Sequence, residues 1–197
     1  LDLGKRISEF NRDLITKGVF QFPNYKGHEV YGKTIGIIGL GNIGQKVARI
    51  AKGFDMKVIG LNKSNKPVEG VELVSLEDLL RQSDLITVCV PLTSETENII
   101  DTPQIDAMKD GVIVVNCSVE KAVNKEAIIK AVQSGKIFGY GVETEIMKPV
   151  PADDPYLSNP RILVTSHNAF NTVEAEIKVM DKAISNVESF LSGKPNN

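Results

Sequence analysis

Six runs of apolar residues recur along this chain, and most of the stretches between them have helical spacing. The runs are 34–39, 56–61, 84–90, 112–116, 137–142 and 161–165. A strand that is apolar along its whole length has no face to offer water, so both sides of its sheet must be covered. Helices supply that cover. One is expected over 42–52, closed by Gly53, and another after Ser75 with Leu76, Leu79 and Leu80 on one face. Two short pieces are expected after Ser94 and Thr102, one over 125–134 between Asn124 and Gly135, and a long one over 172–191 before Gly193 and Pro195. Such alternation specifies an α/β fold, a doubly wound parallel sheet in a single domain.

Composition agrees with that architecture and excludes several others. Hydrophobic residues make up 42% and charged residues 24% of the 197, the mixture of a globular protein rather than of a disordered, collagen-like or coiled-coil chain. The net charge of −2 leaves no polybasic footprint for nucleic acid or an anionic membrane. No apolar run reaches the roughly 18 residues needed to cross a bilayer, and 1–12 is too charged for a signal peptide. The two cysteines, Cys89 and Cys117, end strand-like runs and read as buried free thiols of a reducing compartment, so a cytoplasmic location is expected. No metal-ligand cluster is visible, and His28 stands isolated.

Apolar residues at 1, 3, 7, 10, 14 and 15 predict one leading helix that stops at Gly18. Residues 19–33 hold Phe20, Phe22, Tyr25 and Tyr31 among Pro23, Gly27 and Gly32, and read as an extended arm without regular structure. So many aromatic side chains must bury against their own domain or a second copy. Residues 148–160 read as an irregular loop, and an opening on Leu1 in the middle of a helix suggests a piece of a longer protein.

Gly39-Leu-Gly-Asn-Ile-Gly44 follows a strand candidate and opens a helix candidate. In that setting G-x-G-x-x-G is a dinucleotide-binding turn. Gly39 permits the tight turn, Gly41 lets the backbone approach a pyrophosphate, and Gly44 lets the helix pack close to the sheet. The amides near Asn42 and Ile43 then face phosphate oxygens. The sheet is therefore expected to be of the Rossmann type, with 1–32 as leading helix and arm and 33–197 as the core. Where the second strand ends, an acidic residue usually holds the ribose hydroxyls; here stands Asn62, followed by Lys63, Ser64 and Lys66. Nothing there repels a 2′-phosphate and three groups can donate to one, which favours NADP(H) over NAD(H).

Tyr31-Gly-Lys-Thr-Ile-Gly-Ile-Ile-Gly-Leu-Gly-Asn-Ile-Gly44, followed by Ala51-Lys-Gly-Phe-Asp-Met-Lys-Val58, resembles the nucleotide-binding domain of the D-isomer-specific 2-hydroxyacid dehydrogenases, a family that includes phosphoglycerate and glycerate dehydrogenases. Ser83-Asp-Leu, Val90-Pro-Leu-Thr-Ser-Glu-Thr96 and Ser166-His-Asn-Ala169 match further segments, so the resemblance spans essentially the whole chain. It implies cofactor contacts from Pro91, Thr96, Cys117, Ser118, Val119, Glu143, His167 and Ala169, with His167 as the general acid. It also implies a homodimer through the leading helix and arm, and a split substrate domain, absent here, that lies mainly upstream. The implied reaction is reduction of a small 2-keto acid to a D-2-hydroxy acid, or the reverse oxidation at CH–OH.

Two segments depart from the family pattern. Asn116-Cys-Ser-Val-Glu-Lys-Ala-Val123 places Val119 where the family has a carboxylate-binding Arg, and Glu120 and Lys121 where it has two glycines. Gly141-Val-Glu-Thr-Glu-Ile-Met147 places Ile146 where the family's catalytic Glu stands, with Glu145 beside it and Glu143 replacing an Asp. Lys121 and Glu145 are the candidate substitutes. The leading expectation is the NAD(P)-binding domain of an oxidoreductase that shows little turnover by itself. The alternative, favoured by Val119 and Ile146, is a non-catalytic NAD(P)-binding sensor or regulatory protein.

Overall fold

Seven strands form one sheet: β1 (Thr34–Ile38), β2 (Lys57–Leu61), β3 (Glu72–Leu73), β4 (Leu85–Val88), β5 (Val112–Asn116), β6 (Ile137–Glu143) and β7 (Ile162–Thr165). This computed structural model describes residues 1–18, 22–64, 66–144, 151 and 153–194. They make two compact units, Leu1–Thr165 and Ser166–Asn197. In the first unit every strand pairing is parallel, in the order β3-β2-β1-β4-β5-β6-β7. The chain winds outward from β1 through β2 to β3, then returns to β4 on the other side of β1. That reversal leaves a crevice beyond the carboxyl ends of β1 and β4. The sequence shows six of these strands; β3 escapes because it is two residues long, at the edge, and carries an exposed Glu72.

Strand residues alternate between two apolar layers. Ile35 and Ile37 of β1 and Val58 of β2 pack with Ala48 and Ala51 of α3 (Asn42–Lys52). Ile38, Ile59, Ile86, Val88 and Val114 face the other way, against Leu79 and Leu80 of α4 (Leu76–Gln82) and Ile128 and Val132 of α6 (Lys125–Ser134). Ile37 and Ile38 are 0% and 1% exposed on opposite faces. Each fully buried side chain of this size stabilises the fold by roughly 1.5–3 kcal/mol. The expected caps are present: the Ser75 hydroxyl accepts from Asp78 N–H at 3.1 Å, and Asn124 Oδ1 from Ala127 N–H at 3.1 Å.

Several local expectations change. The single helix expected over 1–17 is two, α1 (Asp2–Lys5) and α2 (Ile7–Lys17), broken at Arg6 with φ 56°. The break lets α1 lie on the sheet, where Gly4 is buried, while α2 leaves it with no buried residue. Two bonds fix this bend: His28 N–H donates to the Gly4 carbonyl at 2.7 Å and Ser8 N–H to the Asp2 carboxylate at 2.7 Å.

The arm is not wholly irregular, since Phe22–Tyr25 forms a 3-10 turn. It docks partly on its own chain. Tyr25 meets Phe10 edge to face at 5.2 Å and donates to Asp13 Oδ2 at 2.7 Å, and His28 meets Phe138 at 4.4 Å. Tyr31 remains 70% exposed, and Phe20 lies outside the described residues. Ser94 opens a turn rather than a helix, and α5 (Thr102–Ala107) is capped by Asp101. The expected loop 148–160 contains α7 (Pro155–Ser158); 148–150 and 152 lie outside the described residues.

The second unit is dominated by α8 (Val173–Leu191), capped by the Thr172 hydroxyl, which accepts from Ala175 N–H at 3.1 Å. Among the described residues no helix is long and apolar enough to cross a membrane.

Candidate functional site

The last residues of the central strands line up in one row. The register sets Leu61, Ile38, Val88, Asn116, Val142 and Val164 side by side as successive neighbours. Ladder bonds carry it one residue further: Gly39 N–H to Leu61 O at 3.0 Å, Cys89 N–H to Ile38 O at 2.8 Å and Cys117 N–H to Val88 O at 3.0 Å. With Glu143 paired to Thr165, the row reads Asn62, Gly39, Cys89, Cys117, Glu143, Thr165. Four of the site residues expected from sequence, Asn62, Gly39, Cys117 and Glu143, therefore share one row, although up to 104 positions separate them in the chain.

At the switch point each glycine of the turn has its own reason. Gly39 has φ +97°, and a Cβ on it would sit 2.6 Å from the Cys89 carbonyl oxygen. A Cβ on Gly44 would overlap the Gly39 carbonyl outright, so only glycine lets α3 start this close to β1. Gly41 is different: a Cβ there meets nothing within 4 Å. The space before it is open, and α3 has no side-chain cap. The first amides of α3, around the exposed Asn42 and Ile43, therefore face a cavity that an anion can enter.

Beside the turn an open cleft of about 1110 Å3, counting its mouth, runs from Gly41 past Asn62 and Ser64 to Pro67. Arg49, Lys52 and Lys66 line it, and Glu69 is its one carboxylate. Lys52 donates to the Glu69 carbonyl at 2.6 Å. Lys63, expected to serve this cleft, instead pairs with Glu95 at 2.5 Å. Lys63 is not part of the cleft's lining, whereas Arg49 on α3 is. Helical spacing was the available signal, because Gln45, Arg49 and Lys52 follow Gly41 at four, eight and eleven residues.

The loop after β5 is built around Asn116, which is 1% exposed. Its Nδ2 donates to the Val119 carbonyl at 3.1 Å and its Oδ1 accepts from Ser118 N–H at 2.9 Å. The Ser118 hydroxyl accepts from Val90 N–H at 2.8 Å, joining the ends of β4 and β5. Glu120–Ala122 then makes one 3-10 turn. Neither Glu120 nor Lys121 has positive φ, so this loop needs no glycine. Glu120 turns inward to accept from the Thr144 hydroxyl at 2.5 Å, Lys121 is exposed, and Val119 is 46% exposed. In the neighbouring loop the Thr96 hydroxyl donates to the Pro91 carbonyl at 2.6 Å and accepts from Thr93 N–H at 2.8 Å. Thr96 is thus committed to shaping the loop that carries Pro91.

The thiols are not buried as expected: Cys117 is exposed and Cys89 half-buried, because both lie one step past the covered part of the sheet. His167 and Ala169 belong to the second unit. His167 has φ 42°, a conformation few non-glycine residues adopt, and its ring lies 5.5 Å from that of Phe170. Glu145 and Ile146 lie outside the described residues. Asn116 and Ser118 as loop anchors, and Arg49 in the cleft, were the residues that sequence reasoning passed over or assigned otherwise.

Residues 1–169 match the family model described as D-isomer specific 2-hydroxyacid dehydrogenase, NAD binding domain. A hydroxypyruvate reductase of Blautia hydrogenotrophica is 36% identical over 179 residues, 89% of this chain and 56% of that protein. Among solved structures, an acyclic imino acid reductase in complex with NADPH and D-Arg matches with TM-score 0.88 and 32% identity, over 100% of this chain and 63% of that one. A D-isomer specific 2-hydroxyacid dehydrogenase of Lactobacillus delbrueckii ssp. bulgaricus in its NAD complexed form matches with TM-score 0.90 and 27% identity, over 100% of this chain and 65% of that one. The chain spans about half the length of the curated relatives it matches. The parallel sheet, the glycine turn at its switch point and these matches agree: this chain belongs to the D-isomer specific 2-hydroxyacid dehydrogenase family, as its NAD-binding domain.

Proposed function

We propose that the row of strand ends holds the nicotinamide dinucleotide of an oxidoreductase that reduces small 2-keto acids to D-2-hydroxy acids. The observation that carries this is the open space before Gly41 at the uncapped start of α3, which fits a pyrophosphate. Asn42, Ile43 and their amides hold the phosphates, and Asn62 and Ser64 the adenosine ribose. Pro91, Cys117, Ser118, Val119 and Glu143 line the nicotinamide end, with Thr96 acting through the shape of its loop. The bound dinucleotide supplies the hydride; the chain's own part is to orient it and to deliver a proton. His167 is the proton donor in this reading, and Ala169 a further cofactor contact. Its backbone at φ 42° supports the role, since uncommon backbone geometry concentrates at working sites. Glu145 is the candidate to stabilise the imidazolium and Lys121 to meet the substrate carboxylate, in place of the residues absent at 146 and 119.

NADP(H) is the preferred cofactor in this proposal. Asn62 brings no carboxylate to the ribose, and Arg49, Lys52 and Lys66 surround the cleft that receives it. The imino acid reductase complex with NADPH supports this choice, and the NAD complexed dehydrogenase keeps NAD(H) as the second cofactor. The hydroxypyruvate reductase among the relatives supports a 2-keto acid substrate. We assign 1–32 as leading helix and arm and 33–197 as the Rossmann core, a homodimer through residues 1–31, and a cytoplasmic location for the free thiols.

Calorimetric titration tests the reading: NADPH and NADH both bind, NADPH more tightly, and Gly41→Val abolishes both by crowding the pyrophosphate. No binding of either at millimolar concentration overturns it. His167→Ala in the protein carrying its substrate domain leaves cofactor binding intact and removes turnover.

A further inference from the structure

We propose that Cys89 and Cys117 are a redox pair that closes into an intramolecular disulfide at the mouth of the strand row. The two cysteines are the only ones in the chain, and the sheet sets them directly opposite each other. The β4–β5 register ends on Val88 opposite Asn116, and the Cys117 N–H to Val88 O bond, 3.0 Å long, carries it on so that 117 falls opposite 89, before Val90 N–H turns to the Ser118 hydroxyl. Paired residues on adjacent strands lie about 4.8 Å apart, inside the 4.4–6.8 Å range of Cα separations in disulfides. The side chains share a face, because the Thr87 hydroxyl lies 3.6 Å from the Cys89 sulfur and 3.8 Å from the Cys117 sulfur. Cys117 is exposed and Cys89 half-exposed, so an oxidant reaches the pair from solvent.

The two thiols are chemically unequal. A hydrogen bond from the Cys89 thiol lowers the pKa of Cys117, with Thr87 adding to this and burial and Glu143 opposing it. The same contact, with burial, pushes Cys89 up. Cys117, which is also the more exposed of the two, is therefore the attacking thiolate and Cys89 the resolving thiol. With hydrogen peroxide as oxidant, the Cys117 sulfur attacks one peroxide oxygen, the O–O bond breaks, and the departing hydroxide leaves as water with the proton the Cys117 thiol gave up, giving a sulfenic acid. The Cys89 sulfur then attacks Cys117, the S–O bond breaks, and a second water leaves with the Cys89 proton. The sum is two thiols and one hydrogen peroxide to one disulfide and two waters. Cys117 is exposed, so the bond is open to reductants and easily reduced, as exposed disulfides are.

The test uses the whole chain under native conditions, with hydrogen peroxide as the probe. The intact mass falls by about 2 Da, the native thiol count drops from two to zero, and digestion yields the cross-linked peptides 82–109 and 110–121. Reduced glutathione at millimolar concentration restores both thiols. In Cys89→Ser the mass loss disappears and dimedone labels Cys117 instead. Four outcomes overturn the proposal: both thiols still free after peroxide, sulfinic or sulfonic acid at Cys117 without a cross-link, disulfides only between chains, or loss of 2 Da in Cys89→Ser.

Discussion

The turn after β1 and the loop after β5 begin on the same row, with only the end of β4 between them, yet they are built on opposite principles. Residues 39–44 are fixed by backbone meeting backbone: Gly39 against the Cys89 carbonyl, Gly44 against the Gly39 carbonyl. Residues 116–122 are fixed by one side chain, Asn116, whose amide spans the loop from Ser118 to Val119. A steric constraint between two main chains admits no residue larger than hydrogen. A hydrogen-bonded loop leaves its outward positions open to any residue with ordinary φ, and here they hold Val119, Glu120 and Lys121. The contrast explains how one motif of the family survives intact while the other is rewritten within the same fold.

The largest effect that would break this contrast is at Gly44. Gly44→Val drives a branched side chain into the Gly39 carbonyl, and either α3 or β1 must move. A loss of more than about 3 kcal/mol is expected, in the upper range for overpacked cores, read as a fall in the denaturant midpoint. Gly41→Val, three residues away, has free space for its side chain and costs less than about 1 kcal/mol while still removing the dinucleotide. If the two variants lose equal stability, the turn is not ruled by contacts between main chains.

Asn116→Ala comes next. It removes the amide's bonds to the Val119 and Glu120 carbonyls and from Ser118 N–H, and leaves the Ser118 N–H unsatisfied, while the Val119 carbonyl keeps its bond from Ala122 N–H. A cost of about 2–3 kcal/mol follows, with increased amide exchange confined to residues 117–122. Uniform exchange across the sheet would show that Asn116 supports β5 as a whole and not the loop.

What the sequence revealed of these regions follows the same division. The glycine turn is legible because steric necessity leaves a fixed residue type at a fixed spacing, and the apolar runs are legible because a covered sheet admits little else. Asn116 is silent in sequence: an asparagine after a strand has the same letter whether it is solvated or anchors a loop. The break at Arg6 is equally silent, since residues 1–17 keep helical spacing across it and only the docking of α1 on the sheet, beside His28, requires the bend. Lys63 was assigned to the cleft by proximity in sequence, but Glu95, 32 residues away, takes it.

A smaller effect sharpens the comparison at the far end of the row. Asn62 sits beside Gly39 but its side chain, unlike the glycine, is free to change, its carboxamide oxygen meeting only Ser64 N–H at 3.4 Å. Asn62→Asp places a negative charge at the ribose and shifts the ratio of NADH to NADPH affinity about tenfold toward NADH, equivalent to about 1.4 kcal/mol. Thermal stability changes little. Calorimetry with both cofactors checks this, and an unchanged ratio assigns the selectivity to Arg49 and Lys66 instead.

The smallest effect is expected where the family's glycines have gone. Lys121 is exposed, sits in a 3-10 turn, and has ordinary φ. Its backbone carbonyl accepts from Asn98 N–H at 2.9 Å, a bond any residue makes. Lys121→Gly therefore releases no strain and fills no need; it only raises the entropy of the unfolded chain, at a cost of about 0.5–1 kcal/mol. The measurement is a denaturation midpoint beside that of Gly44→Val. A stabilised Lys121→Gly protein would mean that the loop retains a demand for glycine despite its ordinary dihedral angles, and the distinction between the turn and the loop would then lie in something other than main-chain contact.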